Sequence, residues 1–248
     1  MNIMIFDTET TSLDKPFCYN IGYTVMSTSN WEVLVERDFV VEQVWHNLPL
    51  FQSAYYASKR PLYVERMRSR KVILDKFGYV CAQMRRDIKT YNIEGAYAFN
   101  SDFDERVFEF NCDWFKVINP FETLPVFDIR GYAHQFLVDN SFKQFCDMAQ
   151  LFTETGNYST TAETFYRYLF DYDFIEEHTA LSDSKIEAQI LAECIERGAF
   201  LNTKYETFRS VVRNTRKHLT IYLPDNDIIE TEYKSLKVNK DRTEIKIK

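Results

Sequence analysis

The stretch that decides the fold is NIMIFDTETTSL, residues 2–13. Its apolar run, residues 2–6, ends at an acid, which is typical of a buried β-strand. Strand side chains alternate between two faces, so Asp7 and Glu9 share one face. Two carboxylates on one face repel each other unless a cation lies between them, and Mg²⁺ and Mn²⁺ prefer oxygen ligands. The stretch indicates either a metal site or a solvated strand end.

The segments that follow this strand alternate between strand and helix patterns. Residues 44–92 are mostly helical in pattern. Four further strands are expected, at 19–27, 31–41, 95–99 and 124–128. Later helical patterns lie at about 141–152, 160–170 and 179–197. This order predicts an α/β fold with a mixed five-stranded sheet flanked by helices.

The last fifty residues differ in character from the rest. A helix is predicted over residues 204–217, followed by four short alternating segments that are typical of strands. We therefore expect one domain over residues 1–198 and a C-terminal α+β extension over 199–248. The tail from Lys234 is rich in Lys, which favours a solvated edge ribbon or, alternatively, contact with nucleic acid.

Composition limits the class of protein without deciding its function. The net charge of −7 argues mildly against a nucleic-acid binder, unless the acids surround cations. The five Cys lack metal-ligand spacing, which indicates reduced thiols. The N-terminus leaves no room for a signal peptide, and no apolar run would span a membrane. We expect a cytoplasmic protein with no membrane partner.

Two later motifs carry polar side chains that suit a catalytic site. FNSDFDERVF, residues 99–108, follows a predicted strand and opens a helix, so Asp102 and Asp104 suit either helix capping or metal binding. EHTALSDSKIEAQIL, residues 177–191, places His178 a little over one helical turn before Asp183. Each motif alone is also compatible with a purely structural role.

Taken together in this order, the three motifs resemble those of the DEDDh exonucleases, over residues 2–197. That family has an RNase H-like fold and includes proofreading exonucleases, RNase T and oligoribonuclease. The resemblance implies a 3′→5′ exonuclease that uses two Mg²⁺ or Mn²⁺ ions and releases nucleoside 5′-monophosphates. It also suggests a phage-type member, acting in a bacterium or a phage-infected cell.

The resemblance assigns a role to each matching residue. Four carboxylates match the metal ligands: Asp7, Glu9, Asp104 and Asp183. His178 matches the general base, and Asp104 matches the middle ligand in preference to Asp102 because it directly follows Phe103. Substrate contacts are expected from Thr10, Leu13, Asn100 and Phe103, with Leu13 as a wedge beneath the last base. Ser12 departs from the family, which commonly has Gly there.

The motifs leave the substrate open. The form of the first motif favours DNA, as single strands or 3′ termini, over RNA. An exoribonuclease similar to RNase T or oligoribonuclease is the alternative, because the same residues serve both. A second alternative is a non-catalytic nucleic-acid-binding module, and the C-terminal region is a candidate contact for a polymerase or replication protein. A basic segment suits either phosphate contact or a solvated helix face: Arg60, Arg66, Arg68, Arg70, Lys71, Arg85 and Arg86.

Overall fold

The first strand, β1 (Asn2–Thr10), lies inside the sheet with partners on both sides, as its apolar sequence predicts. Met4 and Phe6 belong to one buried core cluster, whereas Ile3 and Ile5 belong to another. Successive side chains therefore point to opposite faces of the sheet. The face that carries Ile3 and Ile5 continues at its carboxyl end through Asp7 and Glu9.

The computed structural model describes residues 1–206, 218–222, 228–232, 236–238 and 245–247. The chain forms two compact units, Met1–Tyr205 and Glu206–Lys248. Within the described residues, no helix combines the length and apolarity needed to cross a membrane. All five cysteines are buried and form no disulfide within the described residues.

The first unit contains a mixed sheet of six strands in the order β4-β3-β2-β1-β5-β6. Its strands after β1 are β2 (Cys18–Ser27), β3 (Glu32–Val41), β4 (Ile73–Asp75), β5 (Ile93–Ala98) and β6 (Val126–Asp128). β1, β2 and β3 are antiparallel, whereas β4, β5 and β6 pair in parallel with β3, β1 and β5. The α/β class and the mixed sheet are confirmed.

The strand count differs from the five expected. The additional strand, β4, has three residues and lies between two helices in a region whose pattern is helical. So short a segment shows no alternation of its own, and its pairing with the edge of β3 defines it as a strand.

Helices cover the sheet on both faces. They are α1 (Glu42–Trp45), α2 (Leu48–Gln52), α3 (Arg60–Arg68), α4 (Phe77–Thr90), α5 (Ser101–Phe115), α6 (Ile129–Phe136), α7 (Asn140–Ala149), α8 (Ala162–Leu169) and α9 (Ala180–Glu196), with a 3₁₀ turn at Ala57–Lys59. Residues of α4 and α5 contribute to the core cluster of Met4 and Phe6, whereas α6, α8 and α9 contribute to that of Ile3 and Ile5. The helices predicted at about 141–152, 160–170 and 179–197 are present as α7, α8 and α9.

The second unit contains two antiparallel strand pairs among its described residues. β7 (His218–Tyr222) pairs with β8 (Ile228–Glu232), and β9 (Leu236–Val238) pairs with β10 (Ile245–Ile247). These strands agree with the four strand-like segments of the sequence. The predicted helix over residues 204–217 lies, from residue 207 onwards, outside the described residues.

Gly22 allows the start of α9 to lie directly against the sheet. In β2 it pairs with Asp7 of β1, so the position is next to the first acid of the first motif. A Cβ at Gly22 would overlap the backbone of Ala180 and Leu181, the first two residues of α9. The absence of a side chain at this position is therefore what lets the first turn of α9 approach Asp7.

We predict that Gly22→Ala destabilises the protein, because α9 must move away from β2 to admit the methyl group. Overpacking of this kind costs about 1–3 kcal/mol. Each kcal/mol corresponds to about 2–4 °C in Tm for a chain of this size. Thermal unfolding followed by circular dichroism measures the change.

Gly78→Ala is the matched control. Its Cβ would make ordinary contact with Val117, at 3.4 Å. We expect no loss of stability and a gain of up to about 1 kcal/mol, because alanine favours the helical backbone more than glycine does. Equal Tm values for the two variants would contradict the close approach of α9 at Gly22.

Candidate active site

The sequence motifs meet in a cleft of about 330 Å³ at the carboxyl end of β1. The cleft is bordered by β1, the turn between β5 and α5, the start of α8 and the segment that leads into α9. Its lining residues are Asp7, Thr8, Glu9, Phe99, Asn100, Arg130, Thr160, Thr161, Ala162, Glu176, His178, Asp183 and Glu187. Four of the five residues that the sequence proposes for catalysis therefore line one cavity.

Three carboxylates converge inside this cleft. Asp7, Glu9 and Asp183 each offer an oxygen atom, and these oxygens lie within 4.8 Å of one another. Asp183 lies in the first turn of α9, where its backbone N–H donates to the carbonyl of Thr179 at 3.0 Å. The Oδ2 atom of Asp7 is buried and has no hydrogen-bond partner among the residues that the structure describes.

A buried amide fixes the start of α9 next to these carboxylates. The Asn20 side chain accepts a hydrogen bond from the backbone N–H of Ala180 at 2.8 Å and donates to Asp38 at 2.7 Å. The first N–H groups of a helix have no partner within the helix, so a side-chain acceptor on β2 determines where α9 begins. Asn20 thus links β2 to the turn that carries Asp183.

The electrostatics of the cluster favour a bound cation. Burial, followed by repulsion from neighbouring carboxylates, raises the pKa of Asp7 well above its usual value. The pKa of Glu9 is raised for the same two reasons, although Tyr19 donates a hydrogen bond to it at 3.3 Å. Burial raises the pKa of Asp183 to about 7. Closely spaced buried oxygens with an unsatisfied lone pair fit Mg²⁺ or Mn²⁺.

Asp104 lies beside this cluster but outside the group of three. It belongs to the first turn of α5 and is 2% exposed. Its Oδ1 accepts a hydrogen bond from the Thr8 hydroxyl at 2.6 Å, and its charge raises the pKa of Asp7. Burial raises the pKa of Asp104 itself to about 7. Asp102, two residues earlier, is exposed. Of these two acids, Asp104 is the one whose charge raises the pKa of Asp7, and its role as a metal ligand stays a prediction.

His178 borders the cleft from the segment before α9. Its Nδ1 lies 3.5 Å from Oε2 of Glu176. Burial and the positive charge of Lys59 lower the pKa of the imidazole below its usual value. The neutral form, which is able to accept a proton, is therefore favoured at neutral pH.

The residues expected to contact substrate separate into two groups. Asn100 lines the cleft, in left-handed backbone conformation with φ of 65°. Thr10, Leu13 and Phe103 do not line it. Leu13 is 81% exposed, whereas Phe103 packs against the core. The roles assigned to these residues by the resemblance stay predictions.

Two acids that the sequence analysis did not propose as site residues, Glu187 and Glu176, also line the cleft. Glu187 is 3% exposed and accepts a hydrogen bond from the Phe99 N–H at 3.3 Å. It lies one helical turn after Asp183, a spacing that places both on one face of α9 and gives a signal in the sequence. Glu176, whose pKa is raised to about 8 by burial, has no comparable signal. Ligand atoms of Glu163, Glu176 and His178 also lie within 4.8 Å of one another.

Some residues of the basic segment make contacts within the protein, whereas others are exposed. Arg60 lies 3.9 Å from the ring centre of Trp45, and Arg66 forms an ion pair with Glu177 at 2.6 Å. Four other basic residues of the segment are exposed: Arg68, Arg70, Lys71 and Arg86. Contact with phosphate groups is accordingly a proposal that best suits these four.

Comparison with solved structures identifies the fold. The nuclease domain of 3′hExo, a DEDDh family member, bound to rAMP, matches with a TM-score of 0.53 and 16% identity over 82% of this chain and 96% of that one. The fold is that of the RNase H-like exonucleases. A 3′-exonuclease from a structure of 3′-end-specific recognition of a histone mRNA stem-loop matches with a TM-score of 0.56 and 13% identity, covering 93% and 90% of the two chains. No protein-family model and no curated protein sequence matches the chain.

We predict that Asp7→Asn raises Tm in EDTA, because it removes a buried charge that other carboxylates repel. In wild-type protein, Mn²⁺ should raise Tm by relieving the same repulsion. An excess of about 100-fold over Kd adds about 2.7 kcal/mol. Differential scanning calorimetry with EDTA or Mn²⁺ measures both effects.

In Asp7→Asn the increase caused by Mn²⁺ should be largely lost. Asp102→Asn is the control, because this exposed carboxylate lies outside the cluster. It should keep the wild-type response to Mn²⁺. A wild-type Tm that is the same in EDTA and in Mn²⁺ would argue against a cation site.

Proposed function

We propose that this chain is a 3′→5′ exonuclease of the DEDDh type that hydrolyses phosphodiester bonds and releases nucleoside 5′-monophosphates. The observation that carries the proposal is the meeting of Asp7, Glu9 and Asp183 with His178 in one cleft. The cleft lies in a fold shared with 3′ exonucleases. Fold alone does not define an activity, so the proposal rests on the side chains of the cleft.

We further propose that the site holds two Mg²⁺ or Mn²⁺ ions. Asp7, Glu9 and Asp183 suit one ion, because their oxygens already converge. Asp104 would hold the second together with Asp7, next to which it is buried. Two such ions supply charge stabilisation for the attacking and leaving oxygens of a phosphodiester.

His178 is the proposed general base. A neutral imidazole accepts the proton of the attacking water, and a lowered pKa keeps it neutral at working pH. The Glu176 carboxyl group lies on the Nδ1 side of the ring, and in its ionised form it favours a proton on that nitrogen. The Nε2 atom is then the one that is available as acceptor.

The nature of the sugar is the second part of the proposal. We favour DNA 3′ ends, because the first motif resembles that of proofreading members. An exoribonuclease is the second candidate, and one observation supports it: of the two similar structures, one is bound to rAMP and the other concerns recognition of a histone mRNA stem-loop. A non-catalytic module is less compatible with four intact carboxylates and a histidine in one region.

The organisation into a nuclease domain over residues 1–198 and an extension over 199–248 is also proposed. Contact of that extension with a polymerase or replication protein is a further proposal, and the cytoplasmic location stays a prediction. Most of residues 207–248 lie outside the described ranges. The nuclease proposal does not depend on them.

We predict that Asp7→Asn and Asp183→Asn abolish hydrolysis of a 5′-labelled oligonucleotide in Mg²⁺ or Mn²⁺. His178→Ala should lower kcat by about 10²–10⁴-fold, the usual contribution of a positioned base. EDTA should stop the wild-type reaction, and added Mn²⁺ should restore it. Gel analysis of product ladders measures the rates.

Asp102→Asn is the control, since it alters an exposed acid in the first turn of α5, the turn that also carries Asp104. It should retain wild-type activity. Undiminished hydrolysis by Asp7→Asn, or by the wild type in EDTA, would exclude the proposed mechanism.

A second prediction concerns substrate. Matched 5′-labelled DNA and RNA oligonucleotides of one sequence should be shortened from the 3′ end, with a higher kcat/KM for DNA. A higher value for RNA would replace the DNA assignment by the exoribonuclease alternative. Cleavage inside a circular single strand would contradict both assignments.

A further inference from the structure

A short segment between α2 and α3 lies against the proposed base. The ring of Tyr56 stacks on the imidazole of His178, with ring centres 4.5 Å apart and planes inclined by 15°. Near-parallel stacking at this distance fixes the plane of the histidine ring, since rotation would force the two rings to overlap. Neither Tyr56 nor its neighbours belong to the three sequence motifs.

Lys59, from the same segment, contacts the main chain at His178. Its ammonium group donates hydrogen bonds to the carbonyl oxygens of Glu177 and His178, the latter at 3.3 Å. The same group lies 4.5 Å from the ring centre of Tyr56. One short segment therefore contacts both the side chain and the main chain of His178.

The backbone at His178 requires such contacts. Its φ of 51° lies in the left-handed region, which residues with a side chain seldom adopt. Conformations of this kind persist where surrounding groups hold them. At the Nδ1 side of the ring, Glu176 distinguishes the two nitrogens, which stacking alone would leave interchangeable.

Tyr56 is poorly placed for a purely structural role. It is partly exposed, and it is absent from the core clusters of the described residues. Tyr55 is 88% exposed and packs edge-on against Tyr56, with ring centres 4.8 Å apart. Tyr55 has no stacking contact with His178 in the described part of the chain and is therefore a suitable control.

We propose that Tyr56 and Lys59 are positioning residues that hold His178 in the orientation in which it accepts the proton of the attacking water. This inference rests on the proposed function, because it assumes that His178 is the base. Tyr56 sets the ring plane, and Lys59 sets the main chain from which the ring projects. Their effect on the reaction passes through His178.

The first test measures the orientation of the ring without any reaction. In the metal-free full chain labelled with ¹³C-histidine, the ring current of Tyr56 should shift the His178 Hε1 resonance upfield. The His178→Ala spectrum identifies that resonance. Tyr56→Ala should move it downfield, whereas Tyr56→Phe and Tyr55→Ala should leave it near its wild-type position. An unchanged resonance in Tyr56→Ala would overturn the proposal.

The second test measures hydrolysis. Tyr56→Ala should lower kcat by about 10–100-fold, the range expected for a misplaced catalytic group, with little change in KM. Tyr56→Phe should restore it. Lys59→Met should lower kcat in the same way, and Tyr55→Ala should not. Thermal unfolding of each variant identifies any general loss of structure.

A double-mutant cycle shows whether the effect passes through His178. In a His178→Ala background, Tyr56→Ala should produce no further loss of kcat. A full additional loss would mean that Tyr56 acts on substrate directly and would overturn the positioning role. If the wild type lacked activity, the proposed function would fail, while the resonance shift would still decide whether Tyr56 orients the ring.

Discussion

Carboxylates at the end of β1 are held closer together than their mutual repulsion favours. Oxygens of Asp7, Glu9 and Asp183 lie within 4.8 Å, and burial raises the pKa of each. Folding must supply the free energy that keeps them there. A cation placed between them would relieve the repulsion. It would also bind more tightly, because its ligands are already in position.

The surrounding fold explains how such an arrangement persists. β1 is buried on both faces, so its carboxyl end is fixed by the core. Gly22 allows α9 to approach the sheet beside Asp7, and Asn20 accepts a hydrogen bond from the first residue of that helix. The position of Asp183 is thereby determined by groups far from it in the sequence, namely β1, Asn20 and Gly22. The core holds the helix and strand, and these hold the carboxylates.

Part of this arrangement was predictable from the sequence. The apolar run before Asp7 indicates a central strand, and alternation places Asp7 and Glu9 on one face. The third motif marks the start of a helix, and the structure begins α9 three residues before Asp183. These features depend on local pattern, which the sequence contains directly.

Other features depend on tertiary contacts and have no local pattern. β4 is defined by pairing with β3, and Glu176 is recognised only through its burial and its place in the cleft. The stack of Tyr56 on His178 joins residues far apart in the chain. Glu187 is an intermediate case, because its spacing from Asp183 was visible although its burial was not.

The most direct test of the account is a crystal structure of the wild-type chain grown with Mn²⁺, with anomalous differences recorded at the manganese edge. Two manganese peaks are expected in the cleft, each within ligand distance of an oxygen of Asp7. Ligand distances should be about 2.1 Å, the value for small divalent cations. A map with no anomalous peak at Asp7, Glu9 and Asp183 at saturating Mn²⁺ would contradict the central claim.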